Sequence, residues 1–291
     1  MLDRKATADE IACFQRDGFV RIPGLLSLEE VARFGEAVDR AVMERTRHDP
    51  RPLEKRSRYE QSFRQCLNLW EDHPGVRPLS FHPGVGRAAA ALLGADAVRI
   101  WHDQALYKES GGRETDPHQD QPYWSIVEPR TITAWIPFQP VRPENGAVGF
   151  LPGSHRSGLR EFADIFGGTG LDLDTFPETR NKHFDYVEAE RGDVVFHHGL
   201  TVHRAYPNPS AETRRAHTVI FFADGCTRSA VRHPSVDRPN IAVGARIESE
   251  LTPIAWPRAE GDLPPVPPPP ARPILGWPGD AGVKLGRKAP G

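Results

Sequence analysis

From about residue 97 onward the chain alternates apolar and polar residues in short runs with no helical stretch between them, and this limits what it can fold into. Five runs predict strands: Val98–Tyr107, Thr131–Ile136, Ala147–Leu151, Asp193–His197 and His217–Phe222. Turn-forming residues separate them: Asn145-Gly146, Pro152-Gly153-Ser154, Gly192 and Pro207-Asn208-Pro209. Many short strands of this kind, joined by turns, predict an antiparallel barrel or sandwich.

The N-terminal third follows a helical period instead. Thr7 with Glu10, and Ser27 with Glu30, have capping-box spacing. The first opens a helix carrying Ile11 and Phe14 that Gly18 ends, followed by a short strand at Phe19–Pro23. The second opens a longer helix with Val31, Phe34, Val38 and Val42 on one face. Residues 45–60, rich in Arg and Pro, predict an exposed loop, and Val85–Leu93 predicts a helix stopped by Gly94. Residues 155–185 interrupt the strand pattern over a length that predicts a lid or binding loop. Residues 1–256 therefore read as one domain. The stretch 257–291, with Pro264, Pro265 and Pro267 to Pro270, reads as polyproline II or disordered rather than core.

Composition narrows the function. Among 291 residues the formal charge is −2, which gives no electrostatic case for nucleic acid or anionic lipid as a partner. No apolar run approaches a membrane span. The charged start, Met1-Leu2-Asp3-Arg4-Lys5, is unlike a secretory signal. Cys13, Cys66 and Cys226 lack the number and spacing of a disulfide framework or a zinc site, so a cytoplasmic location is the expectation.

The chemistry centres on Pro117-His118-Gln119-Asp120. In an extended segment His118 and Asp120 point the same way and can grip one metal ion as two members of a two-histidine-one-carboxylate triad. Alone, the tripeptide is a weak signal. A second cluster, Gly192 to His198, leads to His203, and Arg214 follows it across a turn onto a neighbouring strand. There a guanidinium can hold a carboxylate through two hydrogen bonds. His197 and His198 read equally as ordinary histidines, and Arg215 as a solvated charge.

These residues together resemble the phytanoyl-CoA dioxygenase family of Fe(II)- and 2-oxoglutarate-dependent oxygenases. The carriers run in order from Asp17-Gly18-Phe19-Val20 through His118 to Trp124, Thr133-Ala134-Trp135-Ile136, Glu144-Asn145-Gly146, Leu151 to His155, His203 and Arg214. The resemblance implies a double-stranded β-helix, a jelly-roll or cupin-like barrel. It implies that His118, Asp120 and His203 bind Fe(II), that Arg214 anchors the distal carboxylate of 2-oxoglutarate, and that Trp135 and Gln104 face the co-substrate. Tyr123 and Trp124 would shape the mouth for the primary substrate, a small molecule. Core packing is the plain alternative for these aromatics. The implied reaction consumes O2 and 2-oxoglutarate, releases succinate and CO2, and oxidises a C–H bond. Halogenases of this fold have a small residue where Asp120 stands, so hydroxylation or a related oxidation is favoured. Lys108 matches a family lysine, and His155 reads as a structural hydrogen-bond partner.

One departure stands out. The family often has His-Gly-Ser at the distal ligand, whereas this chain has His203-Arg204-Ala205, which removes a hydroxyl from the co-substrate site. Two other readings stay open: a barrel holding zinc for hydrolysis, and a non-catalytic binding module. The arginines between Arg45 and Arg58 read either as a solvated loop or as a site for coenzyme A phosphates.

Overall fold

Both capping boxes form. Helix α1 (Ala8–Asp17) begins with Thr7 accepting from the Glu10 amide and Glu10 accepting from the Thr7 amide, and Gly18 ends it at φ 85°. Helix α2 (Leu28–Thr46) repeats the device with Ser27 and Glu30 and buries Val31, Phe34, Val38 and Val42. The computed structural model describes residues 4–160, 162–165, 167–173 and 183–269. The remaining helices are α3 (Leu69–Asp72), α4 (Arg77–Ser80), α5 (Pro83–Leu93) and α6 (Pro234–Asp237).

The strands are β1 (Phe19–Ile22), β2 (Arg64–Leu67), β3 (Val98–Lys108), β4 (Thr115–His118), β5 (Thr131–Pro137), β6 (Val148–Phe150), β7 (Asp185–Tyr186), β8 (Val194–His198), β9 (His203–Ala205), β10 (Arg214–Ala223) and β11 (Ile254–Trp256). They form two antiparallel sheets. The larger has the order β1-β8-β5-β10-β3-β11, with β2 also on β3, and the smaller has the order β4-β9-β6-β7. This is the expected mainly β jelly-roll with flanking helices.

Alternation sets the layering. Ile100, Ile132, Ala134, Ile136, Phe196, Val219 and Phe221 on the outer face of the large sheet pack with residues of α2 and α5. Each fully buried Ile, Val or Phe side chain among them contributes about 1.5–3 kcal/mol. On the inner face, Phe19, Trp135, Val195 and Ala216 meet Ala147 and Phe150 of the smaller sheet and its approach. The rest of the inner space is a cavity.

Two regional expectations need correction. In 45–60 the helix continues to Thr46, and Arg56 and Tyr59 are buried, so this is only partly an exposed loop. Tyr59 is drawn in because it lines the cavity, and Arg56 because it pairs with Glu109. The proline-rich stretch also packs over its described part. Pro264 and Pro267 are buried at the three-residue period of a polyproline helix. The Pro264 carbonyl accepts from buried Arg77 and the Pro268 carbonyl from Arg238. Residues 270–291 lie outside the described residues. Among the described residues no helix is long and apolar enough to cross a membrane.

Candidate metal and co-substrate site

The register of β4 and β9 sets His118 directly opposite His203, with ring centroids 4.2 Å apart. Asp120 joins them by a different route from the one the sequence suggested. It is not part of an extended strand: β4 ends at His118, and Asp120 has helical dihedrals at the start of a 3-10 turn, Gln121–Tyr123, that contains Pro122. The turn still delivers the carboxylate. One ligand atom from each of His118, Asp120 and His203 lies within 4.8 Å of the others.

Hydrogen bonds fix the orientation of all three. His118 Nδ1 lies 2.8 Å from the Asp116 carbonyl and His203 Nδ1 lies 3.0 Å from the Thr201 carbonyl. Each Nδ1 must donate there, which leaves both Nε2 lone pairs directed at the centre. The Asp120 oxygens divide their work. Oδ1 lies 3.6 Å from His118 Nε2 and 3.7 Å from His203 Nε2. Oδ2 is held by His197 Nε2 at 3.0 Å and by the Thr133 hydroxyl at 3.2 Å. Burial pushes the His118 imidazole down and that of His203 to about 3, so both are neutral donors. Burial alone would raise the Asp120 carboxyl, but His203, His197 and His118 hold it below the usual carboxylate range. Two neutral imidazoles and a carboxylate on one side of a cavity are the donor set of a non-haem Fe(II) site, and their far atoms are already committed elsewhere. The residues fit the metal.

Arg214 opens β10 and is 2% exposed, with its guanidinium carbon 5.3 Å from the Trp135 ring centre. Its Nε has no hydrogen-bond partner, Nη1 donates only a long 3.4 Å bond to the Leu106 carbonyl, and among the described residues no carboxylate pairs with it. Burial pushes its pKa down to about 10. An arginine stays charged under such conditions, so the site holds a cation in want of an anion. Cross-strand neighbour Lys108 is buried too, donates to the Arg113 carbonyl, and is pushed well below its ordinary pKa by burial and by Arg214.

One cavity of about 110 Å3 is lined by His118, Asp120, His203, Arg214, Trp135, Gln104, Tyr123 and Trp124, the residues assigned from the sequence to metal, co-substrate and substrate, while Lys108 and His155 are not in its lining. Gln104 faces it from β3 and accepts a hydrogen bond from Gln65. Several residues escaped the sequence reading. His197 reads as an ordinary histidine in sequence; the β5–β8 register sets it beside Thr133, which is how both reach Asp120. Thr115 carried no signal at all. It lines the cavity opposite Ala205, and its hydroxyl is buried without a partner. That hydroxyl stands across the ladder from the position where the family pattern has serine.

Other residues tie the surrounding loops. Gln119, between two triad members, donates to the Gly158 and Leu200 carbonyls and accepts from the Arg160 amide. It fastens the start of the 155–185 segment to the loop before His203. Within that segment Ile165 lines the cavity, the Ala163 carbonyl accepts from the Tyr123 hydroxyl, and the Leu171 amide bonds to Pro117. Residues 161, 166 and 174–182 of the segment lie outside the described residues. His155 bonds to the Gln15 carbonyl, as expected, and His198 is fully engaged by Pro129 and Leu200. Arg215 is not simply solvated: it pairs with Asp39 at 2.6 Å.

Comparison with known proteins agrees with this geometry. The family model of phytanoyl-CoA dioxygenase (PhyH) matches residues 14–216. A protein named phytanoyl-CoA dioxygenase from Arabidopsis thaliana is 31% identical over 142 residues, 47% of this chain and 49% of that protein. A methylphosphonate hydroxylase from Gimesia maris is 26% identical over 75% of this chain and 81% of its own length. The chain thus spans about half the length of some curated relatives it matches and most of others. Among solved structures, the non-haem α-ketoglutarate-dependent carbocyclase SnoK from nogalamycin biosynthesis superposes with a TM-score of 0.73 at 28% identity, covering 85% of this chain and 96% of that one.

Proposed function

Because the chain belongs to the phytanoyl-CoA dioxygenase family, we propose that it is an Fe(II)- and 2-oxoglutarate-dependent oxygenase that hydroxylates, or otherwise oxidises, a C–H bond of a small molecule. When bound, Fe(II) together with 2-oxoglutarate and O2 supplies the oxidant, with release of succinate and CO2. His118, Asp120 and His203 hold the metal. His197 and Thr133 hold the second oxygen of Asp120, keeping the first aimed at the centre.

Arg214 binds the distal carboxylate of 2-oxoglutarate, packed on Trp135, and this fixes the far end of the co-substrate relative to the triad. The partnerless Thr115 hydroxyl donates to the same carboxylate and replaces the hydroxyl missing at Ala205. Gln104 faces the co-substrate from β3, while Tyr123 and Trp124 border the primary substrate and exclude water.

The observation that carries this reading is a buried guanidinium, with no carboxylate partner among the described residues, in the same cavity as a pre-oriented triad. A hydrolytic zinc barrel has no use for that cation, whereas a dicarboxylate co-substrate does. Adding Fe(II) and 2-oxoglutarate without oxygen should give a visible metal-to-ligand charge-transfer band. His118→Ala should give none, and Arg214→Ala a band only at much higher 2-oxoglutarate. An unchanged band in both variants would overturn the assignment.

A further inference from the structure

Part of the cavity lining is aromatic and is not taken up by the metal and co-substrate residues. Tyr59, Phe63, Tyr123 and Trp124 form it, with Tyr59 and Phe63 packed edge to face at 4.9 Å. The two tyrosine hydroxyls are engaged within the protein: Tyr59 donates to Gln65 at 3.0 Å and Tyr123 to the Ala163 carbonyl. The rings are therefore left to offer apolar surface, the kind that stacks on flat ligands.

Charge is scarce there. Among the described residues lining the cavity, the charged ones are Asp120, Arg204 and Arg214. Asp120 belongs to the triad and Arg214 to the co-substrate. Arg204 alternates with His203 and Ala205 along β9; its guanidinium lies over the Phe184 ring at 5.6 Å, and its buried Nε has no hydrogen-bond partner. Most arginines of the basic stretch leading into β2 are also paired, whereas Arg47 and Lys55 have no carboxylate partner among the described residues. Arg45 pairs with Asp72, Arg51 with Asp49 and Glu60, Arg56 and Arg64 with Glu109, and Arg58 with Asp116. A ligand bearing phosphates would have to break these pairs.

Among the neutral side chains outside the triad and the groups that hold it or the co-substrate, one stands out. His102, on β3 two residues before Gln104, lines the cavity and has a buried Nδ1 without a partner. Its ring is fixed by stacking on His233 at 5.6 Å, and His233 in turn packs on Trp101 at 4.4 Å. Burial pushes His102 down to about 4, so it is a neutral imidazole with one donor and one acceptor.

Resting on the oxygenase reading, we propose that the primary substrate is a molecule with a flat apolar ring face, held among Tyr59, Phe63, Tyr123 and Trp124, and a hydroxyl or carbonyl that meets His102. Coenzyme A thioesters are not substrates of this chain, despite the name its family carries.

The test is isothermal titration of the full chain loaded with Fe(II) and 2-oxoglutarate without oxygen, using 2-naphthol, naphthalene and octanoyl-CoA as probes. 2-Naphthol should bind about tenfold more tightly than naphthalene, the difference being one hydrogen bond to a buried group. His102→Leu should erase that difference and His102→Gln, which keeps a donor and an acceptor, should retain part of it. Phe63→Ala should weaken both ring probes, and octanoyl-CoA should give no saturable binding. Thermal melts of each variant separate misfolding from lost contact. Saturable octanoyl-CoA binding, no binding of 2-naphthol, or a 2-naphthol preference that survives in a folded His102→Leu variant would each overturn the proposal. The charge-transfer band reports the oxygenase reading separately: a band without 2-naphthol binding sinks only the substrate class. Binding that depends on His102 without a band sinks the oxygenase reading and leaves the aromatic ring site standing.

Discussion

In the co-substrate-free chain Arg214 is a cation held away from water, stacked on Trp135, with no carboxylate beside it among the described residues. Taking such an ion out of water costs several kcal/mol even after relaxation, and apolar replacements of buried charges are often stabilising by 1–4 kcal/mol. Arg214→Met keeps most of the side-chain length and removes the charge. Its expected effect on the metal-free, co-substrate-free protein is therefore a gain of about 2 kcal/mol, or about 4–8 °C in melting temperature for a chain of this size. Binding moves in the opposite direction. Removing one partner of a buried, hydrogen-bonded charge pair costs about 2–5 kcal/mol, so affinity for 2-oxoglutarate should fall about thirtyfold or more. Thermal melts with and without the co-substrate, in the presence of Mn(II), read both effects. At a concentration of 100 Kd the wild type gains about 2.7 kcal/mol by mass action, whereas a variant with a hundredfold weaker site gains about 0.4 kcal/mol. Arg214→Lys keeps the charge without the planar fork and should sit between them. A variant that melts lower than wild type and still responds fully to 2-oxoglutarate would refute the reasoning.

Three further outcomes are expected. His197→Ala should weaken metal binding about 10–100-fold by releasing Oδ2 of Asp120, with partial recovery in His197→Gln; equal affinities in metal titrations would remove His197 from the site. Burial holds His102 and His198 to about 4 and His233 well below 6.5, while in the unfolded chain all three take up protons near 6.5. The unfolded state then binds more protons as pH falls below about 6.5. Stability of the metal-free protein should drop there, by up to about 1.4 kcal/mol per pH unit for each histidine. Urea titrations between pH 7.5 and 5.5 check this, and a flat profile would contradict it. Ending the chain after Trp256 rather than Pro269 strips the buried Arg77 guanidinium of its Pro264 carbonyl and should cost about 1–3 kcal/mol, measured by chemical denaturation; equal stability would show that the stretch only rests on the surface.

The long strands and capped helices were legible because each carries a period of its own over several residues. Strands β2, β4, β7, β9 and β11 were not: runs this short show only where flanking apolar residues and turns mark them, as at β1 and β6, and the pairing of these five is decided by partners far along the chain. The site divides the same way. His118 and Asp120 stand out by adjacency, and His203 and Arg214 through the family pattern. Thr115 and Thr133 show nothing in sequence because their roles depend on cross-strand register, against Ala205 in one case and His197 in the other. His102 was hidden inside a strand that is legible for other reasons. What sets it apart is a buried nitrogen without a partner, a property of the folded chain alone.

The Asp120 carboxylate has a mechanical consequence. His118 and His203 come from the small sheet, whereas His197 and Thr133, which grip the second oxygen of Asp120, come from the large one. An ion seated among the triad thereby acts as a rivet through both layers of the sandwich. Emptying it removes one of the ties between the layers at that point, so amides of β4 and β9 should exchange with solvent faster in the stripped protein while those of β5 and β10 hold.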